Sequence, residues 1–191
     1  MMRIAAAIWV CVHLLTAGAG AQQTSVDFGN VQGRTVLDAA KTVRAQLEGG
    51  ARISPGERDG ENALDLGGKA REGVLRFSVT FAAEKQGTLA FRCKPRVLNG
   101  ILVGKYGAIN LEFVKAQNAV RFGLKLAPGK WIHCMAPKNS ARRDRWLHIK
   151  ASWGKQGMLL FLDGKLAAQS ALPESFEWFI KDRPFLLGSY D

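Results

Sequence analysis

None of the strand-like apolar runs of this sequence places two acidic residues at alternating positions, where both would face one cleft. Glycoside hydrolysis needs two carboxylates flanking the scissile bond, so its reagents are missing along any single strand. Glu112 stands alone between Leu111 and Phe113, and Glu174 and Glu177 lie three apart in an irregular, proline-led segment. A nucleophilic serine would need a Gly-x-Ser-x-Gly elbow, and there is none. The stretch from Gly123 to Lys130 is one residue too long for a phosphate-binding loop, and Trp131 stands where Ser or Thr is required. His133, Cys134 and His148 fit no zinc-ligand spacing. On these absences the chain reads as not an enzyme. Acidic residues are scarce as well: 16 Asp and Glu against 27 Lys and Arg leave a formal charge of +11. That excess favours acidic polysaccharide, anionic surfaces or nucleic acid as partners, and carries no information about fold.

Long apolar runs are also lacking, apart from one at the N-terminus. Residues 1–21 read as a secretory leader, with Arg3 as the positive region and Ile4 to Leu15 as the apolar core. The small residues Ala17-Gly18-Ala19-Gly20-Ala21 supply a cleavage site. The apolar core is too short and wrongly flanked for a membrane span, so no stable membrane insertion is expected after cleavage. Residues 22–191 then form one domain in a secreted, periplasmic or extracellular protein. Export makes nucleic acid the least suitable of the three partner classes. Cys11 leaves with the leader, and Cys93 and Cys134 remain. An even pair in an oxidising compartment fits one disulfide, and it fits two buried thiols equally well.

What is present is a succession of short apolar runs cut by turns, in a chain that is 47% hydrophobic. That content excludes disorder. Residues 73–81 alternate, which places Leu75, Phe77, Val79 and Phe81 in a core and Val74, Arg76, Ser78 and Thr80 outside. Residues 87–94 align Leu89, Phe91 and Cys93. Asn99-Gly100 turns into Ile101-Leu102-Val103. Residues 108–115 and 119–126 alternate again, and Pro128-Gly129 turns into residues 131–135. Strands at this spacing, with no parallel βαβ rhythm and no internal repeat, predict an all-β antiparallel β-sandwich. Residues 35–47 pose a conflict. Val36, Ala40, Val43 and Leu47 have near-helical spacing with a Gly49-Gly50 stop, so periodicity alone predicts a helix.

The centre of the pattern is RWLHIKASWGKQGMLLFLDGKLAAQS, from Arg145 to Ser170. A Trp-bounded strand, a Gly-bounded turn, an apolar strand and Asp163-Gly164 spell three antiparallel strands with two tight turns. This stretch resembles a laminin-G-like domain of the concanavalin A-like jelly roll. Gly33-Arg34-Thr35-Val36-Leu37-Asp38, Leu47-Glu48-Gly49-Gly50-Ala51, Pro55-Gly56 and Ala63-Leu64-Asp65-Leu66-Gly67-Gly68 are similar to that family's opening in order and spacing. The resemblance replaces the helix at 35–47 by a loop around residues 38–42 and a strand at 43–47. It also implies a closing strand after residues 185–191, which is not present. The chain is therefore read as a fragment of a larger secreted protein, or as a domain one strand short.

The resemblance implies a non-catalytic binding or adhesion module with carbohydrate as the leading ligand class. A structural accessory domain of a larger extracellular protein or enzyme is the alternative. It further implies structural calcium in many relatives, with Asp27, Asp38 and Asp65 as candidate oxygens here. No other cofactor is expected. Two candidate ligand sites remain. Trp178 lies in a loop where a pyranose ring could stack, though with Phe176 and Phe179 it could equally form a satellite apolar cluster. Arg142, Arg143 and Arg145, with Lys138, form the densest basic patch and suit carboxylate or sulfate groups of an acidic glycan.

Overall fold

The computed structural model describes residues 7–9, 31–37, 44–56, 62–67, 73–77, 86–105, 108–173 and 184–188. Every regular element among them is a strand. The N-terminal part holds β1 (Ala7–Trp9), β2 (Val31–Gln32), β3 (Thr35–Leu37), β4 (Arg44–Gly49) and β5 (Arg52–Pro55). The middle holds β6 (Asn62–Asp65), β7 (Gly73–Phe77), β8 (Gly87–Lys94), β9 (Gly100–Lys105) and β10 (Ile109–Val114). The remainder is β11 (Ala119–Ala127), β12 (Lys130–Met135), β13 (Leu147–Gly154), β14 (Gly157–Leu162), β15 (Lys165–Ser170) and β16 (Phe185–Leu187).

They pair antiparallel into two sheets. One has the order β15-β14-β13-β8-β1-β6-β5, the other β12-β11-β10-β9-β16-β7-β4-β3-β2. The core lies between them because alternate residues point inward from both. Leu89, Phe91 and Cys93 of β8 face Leu111, Phe113, Val120, Phe122 and Leu124 of the larger sheet. β12 packs along β14 and β15 and closes that side of the sandwich. Trp153 of β13 meets Phe122 of β11 with ring centroids 6.4 Å apart, tying sheet to sheet.

The turns are where sequence chemistry shows most directly. Asp163 and Gly164 both take positive φ, 49° and 79°, in the two-residue turn between β14 and β15. The Asp163 carboxylate accepts the His148 backbone N–H at 2.9 Å, which ties that turn to the start of β13. Around residues 35–47, the described residues form β3 and β4, so sheet pairing overrides the helical spacing. The expected first strand at Val26-Asp27-Phe28 lies outside the described residues.

Of the two arrangements left open for the cysteines, the structure has the buried thiols and not the Cys93–Cys134 disulfide. Cys93 and Cys134 are free and buried. Cys93 stands opposite Leu147 at one end of β13, whereas the Cys134 thiol donates to the Met158 carbonyl, and Met158 stands opposite Trp153. Six residues of extended strand separate those two levels, roughly 20 Å. A disulfide needs Cα atoms within about 7 Å, so no bridge forms. Burial raises both thiols' pKa, that of Cys134 to about 11, and leaves them unreactive.

Candidate functional site

The outward face of β10, β11 and β12 gathers groups that no single strand reveals. Alternation sends Ile109, Leu111 and Phe113 into the core and leaves Asn110 and Glu112 on the other face. The β10–β11 ladder pairs Glu112 with Arg121 and Asn110 with Gly123. The next ladder pairs Gly123 with His133 and Lys125 with Trp131. Three successive strands thus place Asn110, Glu112, Arg121, Lys125, Trp131 and His133 on one surface. A register shift between Leu111 and Glu112 in the β9–β10 ladder lies beside the ion pair, and such bulges commonly re-aim side chains at sites.

The polar part is a hydrogen-bonded cluster. Arg121 Nε donates to Glu112 Oε1 at 2.7 Å, and Arg121 Nη2 donates to the same oxygen. Asn110 Nδ2 donates to it as well, at 3.0 Å. Asn110 Oδ1 is buried and has no hydrogen-bond partner among the described residues. A buried acceptor left open in this way calls for a water or a ligand donor. The Glu112 side chain is 15% exposed and that of Arg121 34%, so the pair is reachable from outside and partly screened.

The aromatic part is a platform. The Trp131 and His133 rings stack with centroids 5.9 Å apart and planes 14° from parallel. Lys125 Nζ lies 5.9 Å from the Trp131 centroid, within cation–π range. Gly123 makes room for this arrangement. A Cβ built there would stand 2.8 Å from His133 Cδ2 and 3.3 Å from Trp131 Cε3. Because Gly123 keeps an ordinary strand backbone, alanine fits the chain and displaces only the rings. Gly123→Ala is expected to leave the melting temperature within a few degrees of wild type while shifting the Trp131 fluorescence as the rings are displaced, checked by thermal unfolding and emission spectra.

Burial, and then the Arg121 guanidinium, lower the pKa of His133 from its ordinary 6.5, with Glu112 opposing more weakly. His148, on the outer face of the smaller sheet, is lowered the same way by burial, Arg92 and Lys150, against Asp163. The unfolded chain therefore binds protons that the folded one refuses. Stability from these groups is complete above pH 6.5 and is lost as pH falls through the lowered folded values. Melting temperature should drop between pH 7.5 and 5, and the drop should shrink in the His133→Gln/His148→Gln variant.

The residues singled out from sequence lie elsewhere. Arg142, Arg143, Arg145 and Lys138 are all exposed in the loop before β13. Backbone bonds from Asn139 to Gln117, Ala141 to Asn118 and Asp144 to Pro95 pin that loop to the sandwich end. It meets the β10–β11 turn, about 15 Å along β11 from Gly123. Trp178 lies outside the described residues, as do Asp27 and Asp38. Asp65 is buried, with Oδ2 bonded to Arg52 at 2.8 Å and Oδ1 accepting the Gly67 N–H at 2.9 Å. Both its oxygens are engaged within the chain. No group of three or more metal-ligating side chains occurs among the described residues.

No protein-family model matches the sequence, and no curated protein matches it at the sequence level. Solved structures do resemble it in shape. The crystal structure of alginate lyase A1-II', of polysaccharide lyase family 7, aligns over 97% of this chain and 84% of its own, at 9% identity and a TM-score of 0.42. Domains LG4-5 of the mouse laminin α1 chain align over 98% and 74%, at 13% identity and 0.43. A β-1,3-glucanase from Mycobacterium marinum aligns over 91% and 77%, at 15% identity and 0.38. The fold itself is an all-β sandwich of two antiparallel sheets. Likeness at these identities and TM-scores carries no conclusion about what this chain does.

The reading of the chain as not an enzyme is corrected. Two of the solved structures it resembles in shape are named as glycan-degrading enzymes, the alginate lyase and the β-1,3-glucanase. Across three strands Glu112 is joined by Arg121, Asn110 and His133, and no second carboxylate is among them. A search along single strands misses any site assembled across a sheet.

Proposed function

We propose that this protein is exported and binds an acidic polysaccharide across the outer face of the nine-stranded sheet. The observation that carries the reading is the joined platform: stacked Trp131 and His133 rings over Gly123, edged by the Asn110–Glu112–Arg121 cluster. A pyranose ring has an apolar face for the aromatics and equatorial hydroxyls for the polar groups at their edge. A uronate carboxylate suits the Arg121 fork and Lys125. The chain's formal charge of +11 favours the approach of an anionic polymer.

The test is titration of the protein with a uronate polymer and with a neutral β-1,3-glucan at low and physiological salt. Binding to the uronate polymer that persists at physiological salt and is lost in Trp131→Ala supports the reading. Binding that vanishes with salt and ignores Trp131 would reduce it to surface electrostatics. No binding to either polymer leaves the chain as an accessory domain of a larger extracellular protein.

A second reading follows from His133. Its lowered pKa leaves the imidazole neutral at pH 7, so it carries a free lone pair, with Arg121 nearby to neutralise a uronate carboxylate. That pair suits removal of the proton next to the carboxylate, followed by elimination of the 4-linked sugar. The proton moves to His133, the C4–O bond breaks with its electrons on oxygen, and the leaving oxygen takes a proton from water. Incubation with the uronate polymer should then generate unsaturated ends that absorb in the ultraviolet, and His133→Gln should abolish them.

A further inference from the structure

Among the described residues, the seven-stranded sheet is continuous only through β1. Ala7 and Ile8 pair with Asp65 and Leu64 of β6, while Ala7, Ile8 and Trp9 pair with Lys94, Cys93 and Arg92 of β8. Among the described residues no other strand joins those neighbours, so without β1 the sheet divides into β15-β14-β13-β8 and β6-β5. The three residues that bridge it lie inside the stretch whose sequence reads as an export leader. Removal of the leader would leave a gap two strand spacings wide, about 10 Å, edged by unpaired backbone on both sides. Its floor is the core: Leu64 and Cys93, opposite position 8, are both 0% exposed.

Unpaired N–H and C=O groups beside a dry core are costly, and two facing edges form a template for a strand. We infer that the processed protein has a strand-acceptor slot between β6 and β8, filled in trans by an extended apolar segment of another polypeptide. The occupant's chemistry is displayed by β1 itself: uncharged, mostly apolar, extended, and antiparallel to both neighbours. Such strand addition draws affinity from main-chain hydrogen bonds and selectivity from alternate side chains that enter the core. A second copy is a poorer occupant, because processing removes this segment from every copy. The inference rests on export and is independent of glycan binding.

The test uses protein made through a secretory pathway, with its N-terminus identified by mass spectrometry. It is titrated with a peptide of residues 5–10 flanked by lysines for solubility, and with the same peptide carrying Ile8→Pro, which cannot complete the ladder. The expected result is 1:1 binding of the first peptide, a melting temperature that rises with its concentration, and new hydrogen-exchange protection at residues 63–65 and 92–94. The proline peptide should do none of this. If the processed chain aggregates alone, refolding with the first peptide should restore soluble protein and refolding with the proline peptide should not. Four outcomes would overturn the inference: retention of residues 1–21, protection of β6 and β8 without peptide, dimerisation through the slot, or identical behaviour of the two peptides. Glycan titration of the same sample fails or succeeds separately, so the two readings stay distinguishable.

Discussion

Trp153→Ala is expected to destabilise the domain by about 3–5 kcal/mol, a large fraction of a domain's usual total of about 5–15 kcal/mol. Trp153 is 5% exposed and comes from β13 of one sheet, while its ring neighbour Phe122 comes from β11 of the other. The ring also fills the space that Gly87 leaves on β8, where a Cβ would stand 2.4 Å from Trp153 Cζ2. Truncation therefore removes a large transfer contribution and opens a cavity across the sheet interface, where the strands cannot collapse without losing their ladders. Urea unfolding followed by fluorescence measures the change. Trp153→Phe should lose about half as much. A cost below 1 kcal/mol for the alanine variant would show that the two sheets do not meet there.

Arg121→Ala should weaken binding of a uronate polymer by about 10- to 100-fold, the loss of one charge-assisted hydrogen bond of about 1.5–3 kcal/mol. The same change leaves the Glu112 carboxylate, 15% exposed, without its guanidinium and with the Asn110 amide still donating to it. Some stability is lost as well, so binding and folding must be separated. Arg121→Ala/Glu112→Gln removes the unpaired charge and should recover stability without recovering binding. If the double variant binds like wild type, Arg121 serves only to hold Glu112.

The fold was legible in the sequence because it is written in local signals. Alternation fixes which face of β7, β8, β10 and β11 is buried, and Asp163-Gly164 and Pro128-Gly129 fix where strands reverse. At residues 35–47 the local signal pointed to a helix, and pairing with β7 decided otherwise. The site was less legible, because its members come from three strands whose register depends on turn geometry. Glu112 and Arg121 become partners only through the four-residue turn at 115–118, where Asn118 takes φ 47°. Reading alternation and register together along residues 109–135 would have placed Asn110, Glu112, Arg121, Trp131 and His133 on one face. The basic loop was conspicuous for its density, yet all three arginines stand exposed at the sandwich end.

The most direct measurement sets that loop against the sheet face. Uronate-polymer binding at physiological salt is compared among wild type, Trp131→Ala, and the triple variant Arg142→Ala/Arg143→Ala/Arg145→Ala. A platform on the nine-stranded sheet predicts at least a tenfold loss from Trp131→Ala, with the triple variant losing only its low-salt advantage. Wild-type binding by Trp131→Ala, together with abolition in the triple variant, would contradict the sheet-face site and return the ligand to the loop.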